Sequence, residues 1–252
     1  MKPKSQRKRL DTLLVERGLA ESLAKAQAII LAGEVRIDGQ PAHKAGDSIP
    51  ETSRLEIASR NLKYASRAGL KLEGALHDFA IDPTGAICLD IGSSTGGFTD
   101  CLLQSGAAKV FAVDVNTDQL AWKLQQDPRV IQIKKNARNV KPADIPNHQS
   151  IDLAVADVSF ISATKILQPV AVLLKPGANF LILVKPQFEL PRADITRGGI
   201  VTDPALHEKA IAKARAAAEN SQLTVLSVRP SHLPGAEGNQ EYFLHARKNP
   251  LE

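Results

Sequence analysis

Residues 89–98 read Leu-Asp-Ile-Gly-Ser-Ser-Thr-Gly-Gly-Phe, an acidic residue and a glycine-rich turn closing an apolar run. Between a strand and its helix, such a turn lets a ligand approach bare backbone at the carboxyl edge of a parallel sheet. It does not read as a phosphate cradle. Ser94 stands where G-x-G-x-x-G requires its second glycine, and the chain has no G-K-[ST] step. A second apolar run ends at Asp114, 22 residues after Gly92, where a carboxylate commonly takes ribose hydroxyls. A ribose-bearing ligand without a pyrophosphate points to S-adenosylmethionine. Its candidate contacts are Asp90, Gly92, Ser93, Ser94, Thr95, Gly96, Gly97 and Asp114, with Asn136 after a third run and Asp157 after a fourth. The alternative is a tight turn with a purely structural aspartate.

Four further residues stand where polar chemistry is unexpected. Asp157 closes an apolar run in Ala156-Asp157-Val158-Ser159-Phe160, and Lys185 closes another in Leu183-Val184-Lys185-Pro186-Gln187-Phe188. Glu241 opens a run in Gly238-Asn239-Gln240-Glu241-Tyr242, and Lys71 lies in Ser66-Arg67-Ala68-Gly69-Leu70-Lys71-Leu72. A lysine ending a nearly continuous apolar strand needs a partner or a task, because burying an unpaired ammonium is expensive. Singly, each has an ordinary reading: Lys71 as a helix-surface lysine, Glu241 as an edge charge.

The elements that must position these residues follow from periodicity. Strands are expected at Ile87–Ile91, Val110–Val115, Val130–Ile133, Leu153–Ala156, Phe180–Val184, Leu223–Val228 and Tyr242–Ala246. Helices are expected near Gly97–Gln104, Asp118–Gln126, Ala163–Leu174 and Pro204–Asn220, the last opened by Pro204 behind a capping Asp203 or Thr202. Apolar runs alternating with helical patterns indicate a mostly parallel sheet with helices on both faces. The segment Arg229–Gln240 has no room for a helix, so the last two strands should pair antiparallel. The expected class is therefore α/β, a Rossmann-like seven-stranded sheet with one antiparallel strand.

Residues 1–57 have a different rhythm. Leu10, Leu13 and Leu14 mark a helix stopping at Gly18, and a second helix runs from about Ser22 to Gly33. Short strands follow at Val35–Ile37, ending in the turn dipeptide Asp38-Gly39, and at Arg54–Ile57. This makes a small α+β domain over residues 1–57, a linker over 58–65 and the large domain over 66–252. Residues 1–71 carry 14 Lys+Arg against 8 Asp+Glu, whereas residues 72–252 carry 18 against 19. The excess positive charge thus sits in the first quarter of the chain, as in a module for a polyanion attached to a near-neutral body. Lys25, Arg36 and Lys44 could share one face, and Arg9 and Arg67 are further candidate RNA contacts. Two cysteines, Cys88 and Cys101, make no disulfide framework, and no metal site is expected. No apolar run reaches the ~18 residues of a membrane span, and the basic start has no apolar signal core after it. A soluble, cytoplasmic protein is expected, with its oligomeric state left open.

Taken together the motifs resemble a known family. Lys71, Asp157, Lys185 and Glu241 match, in order and strand context, the Lys-Asp-Lys-Glu tetrad of FtsJ-like ribose 2′-O-methyltransferases. The stretch Arg9-Leu10-Asp11 … Val15-Glu16-Arg17-Gly18-Leu19-Ala20 … Gly33-Glu34-Val35 … Asp38-Gly39 is similar to the S4-type RNA-binding domain. That pairing resembles the TlyA family, ribosomal RNA cytidine 2′-O-methyltransferases historically labelled haemolysins. The resemblance extends through Gly96-Gly97-Phe98-Thr99, Asp157-x-Ser159-Phe160-Ile161-Ser162, Lys185-Pro186-Gln187-Phe188-Glu189 and Gly238-Asn239-x-Glu241-Tyr242-Phe243. It implies S-adenosylmethionine as cofactor, ribosomal RNA or a ribosomal subunit as partner, and the four tetrad residues as catalytic. Longer family members carry further C-terminal helix. In the family the shorter architecture goes with large-subunit RNA and the longer with both subunits; large-subunit RNA is the favoured substrate here, with small-subunit RNA the alternative.

Under that resemblance Lys185 is the base or hydroxyl-orienting group, Asp157 and Glu241 orient the lysines and hold the ribose, and Phe160 and Phe188 border the site. Either ring could stack on an extruded base or simply pack in the core. Two rival functions remain at this point. A non-catalytic ribosome-associated RNA-binding protein would not bind the cofactor. A membrane-lytic protein needs an amphipathic or spanning segment.

Overall fold

The computed structural model describes residues 7–250, apart from 32, 43, 58–61, 197–198 and 236–237. The chain divides into two compact units, Met1–Leu62 and Lys63–Glu252. Half of the expected linker, residues 58–61, lies outside the described residues. Its later part is built into the larger unit: Tyr64 is buried, and the Ala65 N–H donates to Asp100 Oδ2 at 2.7 Å.

In the smaller unit, strand β1 (Arg7–Arg9) leads into helices α1 (Leu10–Glu16) and α2 (Leu23–Leu31), followed by short strands β2 (Val35–Ile37), β3 (Gln40–Pro41), β4 (Ser48–Pro50) and β5 (Leu55–Ile57). β2 lies between β3 and β5, and β1 pairs antiparallel with β4. Leu10, Leu14, Ala26, Ile30 and Val35 are fully buried and form the centre of its core. Both helices start and stop near the expected residues. Asp38 and Gly39, with φ of 50° and 84°, make the hairpin between β2 and β3, because a two-residue connection matching strand twist needs both residues left-handed. The pair β1–β4 was not expected: three-residue strands, Arg-Lys-Arg in β1 and Ser-Ile-Pro in β4, are too short for an alternation to be read.

The larger unit contains α3 (Ala68–Asp78), β6 (Ile87–Ile91), α4 (Gly97–Gln104), β7 (Lys109–Asp114), α5 (Trp122–Gln125), β8 (Val130–Lys134), β9 (Ile151–Ala156), α6 (Thr164–Ala171), β10 (Leu174–Val184), α7 (Pro186–Glu189), α8 (Pro204–Glu219), β11 (Leu223–Pro230) and β12 (Tyr242–Lys248). The strands form one sheet in the order β11-β12-β10-β9-β6-β7-β8, in which β12 alone runs against its neighbours. Seven strands with one reversed is the expected architecture. The order reverses direction beside β6, so the crevice outside the carboxyl ends of β6, β7 and β9 is the natural ligand site. Period-two alternation sets the faces. On β6, Leu89 and Ile91 join the layer of α6 and α8, whereas Cys88 joins that of α3 and α4.

Three elements differ from expectation. The helix expected over Asp118–Gln126 is a 3₁₀ turn at Thr117–Gln119 followed by the single turn α5. Leu120 and Ala121 adopt extended backbone between them, which seats Leu120 and Leu124 against Gly96. The helix expected over Ala163–Leu174 stops at Ala171, and β10 begins at Leu174 instead of Phe180. An irregularity between Leu174 and Asn179, around Pro176 and Gly177, hid the strand's first half from an alternation count. Helix α3, which carries Lys71, had no separate expectation.

Candidate active site

The turn after β6 is shaped by what approaches it. Gly92 has φ of 81°, and a Cβ there would stand 2.5 Å from the carbonyl oxygen of Asp157. The ends of β6 and β9 therefore converge only because this residue has no side chain. Gly96 has φ of 95° and faces Leu124 and Leu120, while a Cβ on Gly97 would strike Ser66 Oγ at 2.2 Å. Both let neighbours pack closely. The Ser94 N–H donates to Asp114 Oδ2 at 2.9 Å, and the Asn116 N–H donates to Asp114 Oδ1 at 2.9 Å. This fixes the carboxylate at the end of β7.

Beside this turn lies a cavity of about 430 Å³, within the usual size range of small-molecule sites. Of the predicted cofactor residues, Gly92, Ser94, Asp114, Asn136 and Asp157 line it; Asp90, Ser93, Thr95, Gly96 and Gly97 do not. Sequence reasoning missed Gln119, Lys135 and the apolar wall of Val115, Val158 and Ile161. Gln119 donates to Asp114 Oδ1 at 3.4 Å, and Lys135 pairs with Asp144 at 2.9 Å. A fixed carboxylate, exposed backbone and an apolar wall suit a nucleoside-bearing cofactor with no phosphate.

Asp90 points into the layer of α3 and α4, fully buried, with Thr99 Oγ1 donating to its Oδ2 at 2.6 Å. Its Oδ1 makes no hydrogen bond, and burial pushes the carboxyl up to about 7 from 3.8. Between those values the native state holds a proton that the unfolded chain has lost, so stability falls as pH rises through that window. Asp90→Asn should flatten the dependence, with a chemical-denaturation midpoint that declines less than wild type between about pH 4 and 8. Equal declines would contradict this account of Asp90.

The four tetrad candidates meet as two ion pairs. Lys185 Nζ stands 2.6 Å from Asp157 Oδ1, and Lys71 Nζ stands 2.6 Å from Glu241 Oε2. The sheet explains the meeting: Val184 pairs with Tyr242 across β10 and β12, so Lys185 and Glu241 are the next residues along that ladder. Asp157 follows Ala156, which pairs with Ile182 on β10. Lys71 arrives from α3 and is largely buried, unlike a surface lysine. Lys185 Nζ also donates to Ser159 Oγ at 2.9 Å. Asp157 Oδ1 is buried and off the line of any hydrogen bond, so its contact with Lys185 is one of charge.

Residues given no individual role hold this arrangement. Glu189, 2% exposed, accepts from Ser162 Oγ and from the Ala163 N–H at 2.6 Å, tying the segment after β9 to α7. Asn239 accepts from the Val201 N–H at 2.8 Å and donates to the Gly199 carbonyl at 2.9 Å. A carboxylate four residues after Lys185 was visible in sequence, but its partners were not. Phe160, expected to stack or to pack, is 88% exposed with φ of 63°. Its ring centroid lies 5.6 Å from that of Phe188.

The predicted RNA contacts differ in their pairing. Lys25, Arg36, Lys44 and Arg67 are exposed. Arg9 is exposed as well, and its guanidinium donates to both carboxylate oxygens of buried Asp11, at 3.0 and 2.6 Å. That pairing holds the Asp11 carboxyl well below the usual range.

Residues 64–248 match the FtsJ-like methyltransferase family model, and residues 8–54 match the S4 domain model. The 16S/23S rRNA (cytidine-2′-O)-methyltransferase TlyA of Mycobacterium tuberculosis is 43% identical over 245 residues, 96% of this chain and 91% of its own. The chain belongs to the TlyA family of FtsJ-like methyltransferases. Hemolysin A of Brachyspira hyodysenteriae is 42% identical, over 94% of this chain and 98% of its own. A solved structure, "Putative hemolysin from Streptococcus thermophilus", superposes with a TM-score of 0.74 at 39% identity, covering 98% of this chain and 90% of that one. As a TlyA-family methyltransferase the chain uses S-adenosylmethionine, which the residues lining the cavity beside Asp114 could hold, and it carries an S4 domain of the RNA-binding type. No helix among the described residues is long and apolar enough to cross a membrane.

Proposed function

We propose that the chain methylates the ribose 2′-hydroxyl of a cytidine in ribosomal RNA, with large-subunit RNA its first substrate, in the cytoplasm. One observation carries the reading. Asp157 lines the donor cavity and also holds Lys185 at 2.6 Å, so the group that would position the reacting hydroxyl is fixed to the wall that positions the donor.

When bound, S-adenosylmethionine supplies an electrophilic methyl on a sulfonium. Transfer from such a centre is an in-line displacement, so alignment supplies much of the rate. Gly92, Ser94, Asp114 and Asn136 hold the donor against the sheet edge. Lys185, steadied by Asp157 and Ser159, orients the 2′-hydroxyl and, once its own proton has passed to solvent, accepts the hydroxyl proton as a neutral amine. The Lys71–Glu241 pair holds the ribose from the other side. Phe160, exposed at the mouth, stacks on the extruded base, since chemistry on a paired nucleotide requires extrusion. Asp90, Ser93, Thr95, Gly96 and Gly97 support the donor indirectly by building the turn.

Mapping 2′-O-methyl groups in ribosomal RNA from cells with and without the protein tests the proposal. A cytidine of the large-subunit RNA should lose its mark in the deletion strain. An unchanged map would refute it. The small unit should supply the electrostatic part of RNA affinity. A variant with Lys25, Arg36 and Lys44 all changed to alanine should lose up to ~0.9 in the slope of log K against log salt for each phosphate contact removed. Donor affinity, measured by calorimetry, should be unchanged; an RNA salt slope equal to wild type would exclude these residues from the RNA surface.

A further inference from the structure

We infer that a second cavity beside Lys185 seats the RNA backbone, and that Lys165 there holds a phosphate flanking the methylated nucleotide. The inference rests on the proposed ribose methylation and adds a phosphate contact within the larger unit. The cavity, of about 650 Å³, is walled by Phe160, Ile161, Phe188 and Glu189, among others, and carries Lys165, Lys209 and Lys213. Phe160 and Ile161 also line the donor cavity, so the two spaces adjoin. Lys185 Nζ lies 5.9 Å from the centroid of the Phe188 ring. A strand whose target ribose sits at Lys185 can therefore carry a neighbouring phosphate into this opening.

Charge decides what the opening accepts. Residues 72–252 carry 18 Lys+Arg against 19 Asp+Glu, yet three exposed lysines stand on this wall with one carboxylate, Glu189. That carboxylate is buried and satisfied, by Ser162 Oγ, by the Ala163 N–H at 2.6 Å and by Lys213 Nζ 3.7 Å away. Lys213 Nζ also donates to the Glu189 carbonyl at 2.5 Å, and Lys209 Nζ pairs with Asp194 at 2.7 Å. Lys165 makes no side-chain hydrogen bond or ion pair among the described residues. It stands second in α6, where the helix dipole disfavours a cation, so its charge does not serve the helix. The N–H groups of Ala163 and Thr164 are already taken, by Glu189 and by Ser162 Oγ at 3.3 Å, which leaves the Lys165 ammonium as the anion-binding group. An unpaired lysine beside two aromatic rings suits a nucleic-acid strand, whose phosphates take lysine and whose bases stack.

The test reads the salt dependence of ribosomal RNA binding. Lys165→Gln should reduce the slope of log K against log salt by about 0.7, the value for one phosphate of a single strand. Its donor affinity should match wild type. Lys109→Gln removes the same charge at the start of β7, the end away from Asp114 and the donor cavity, and should leave the slope unchanged. Cys88 and Cys101 are buried, so Lys165→Cys offers a single exposed thiol for a tethered iron chelate. Hydroxyl radicals from that chelate should cut ribosomal RNA within a few nucleotides of the methylated cytidine. A wild-type slope in Lys165→Gln, an equal drop in Lys109→Gln, or cuts confined to distant RNA would each overturn the phosphate contact alone. No transfer by wild type to any ribosomal RNA would overturn the ribose-methylation reading and this inference with it.

Discussion

Lys185→Ala should lower the single-turnover rate of methyl transfer by roughly 10²–10⁴-fold, the range expected for loss of a positioned proton acceptor. Donor binding should persist, because Gly92, Ser94, Asp114 and Asn136 line the cavity without help from the lysine. RNA binding should persist as well, since the exposed Lys25, Arg36 and Lys44 are untouched. Lys185→Arg separates two roles. A guanidinium keeps the charge beside Asp157 but does not give up its proton in proteins, so a base is lost and a positioning cation is kept. The arginine variant should be nearly as inactive as the alanine variant. An arginine variant that keeps substantial turnover would leave Lys185 as a positioning cation.

The Lys71–Glu241 pair should show the second large effect, in stability and rate together. Both side chains are nearly buried, at 11% and 3% exposure, so removing one partner strands the other charge in a poorly solvated place. Lys71→Met should cost about 3–5 kcal/mol of unfolding free energy. Adding Glu241→Leu to that variant should recover much of the loss, because an apolar pair replaces an ion pair at small net cost. Activity should not return with it, since neither residue can then hold the ribose. Urea unfolding and single-turnover rates on the two variants check both halves. Restored turnover in the restored double variant would reduce the pair to a structural one.

Much of this site was legible because its signals are local. The Asp90–Gly97 turn and Asp114 are set by strand ends whose alternation is visible over a few residues, and the left-handed Asp38-Gly39 hairpin carries its own dipeptide signature. What escaped depends on distant chain segments. Lys71 and Glu241 are 170 residues apart, and no spacing rule shows that the tetrad divides into two ion pairs. Arg9 reads as a free surface cation in sequence, and its pairing with buried Asp11 shows only in the fold. Asp90 sits in the right motif yet faces α4, because period-two alternation places it opposite Leu89 and Ile91. Glu189 closes a quoted motif, but its function as a clamp required Ser162 and Ala163 to fold back onto it.

The central claim is best tested by the chemical identity of the product. Wild-type protein and the Lys185→Arg variant are each incubated with methyl-deuterated S-adenosylmethionine and ribosomal RNA, which is then digested to nucleosides for mass spectrometry. The account predicts deuterated 2′-O-methylcytidine from wild type and almost none from the variant. Label on a cytosine ring, or 2′-O-methylcytidine in equal amounts from both proteins, would contradict it.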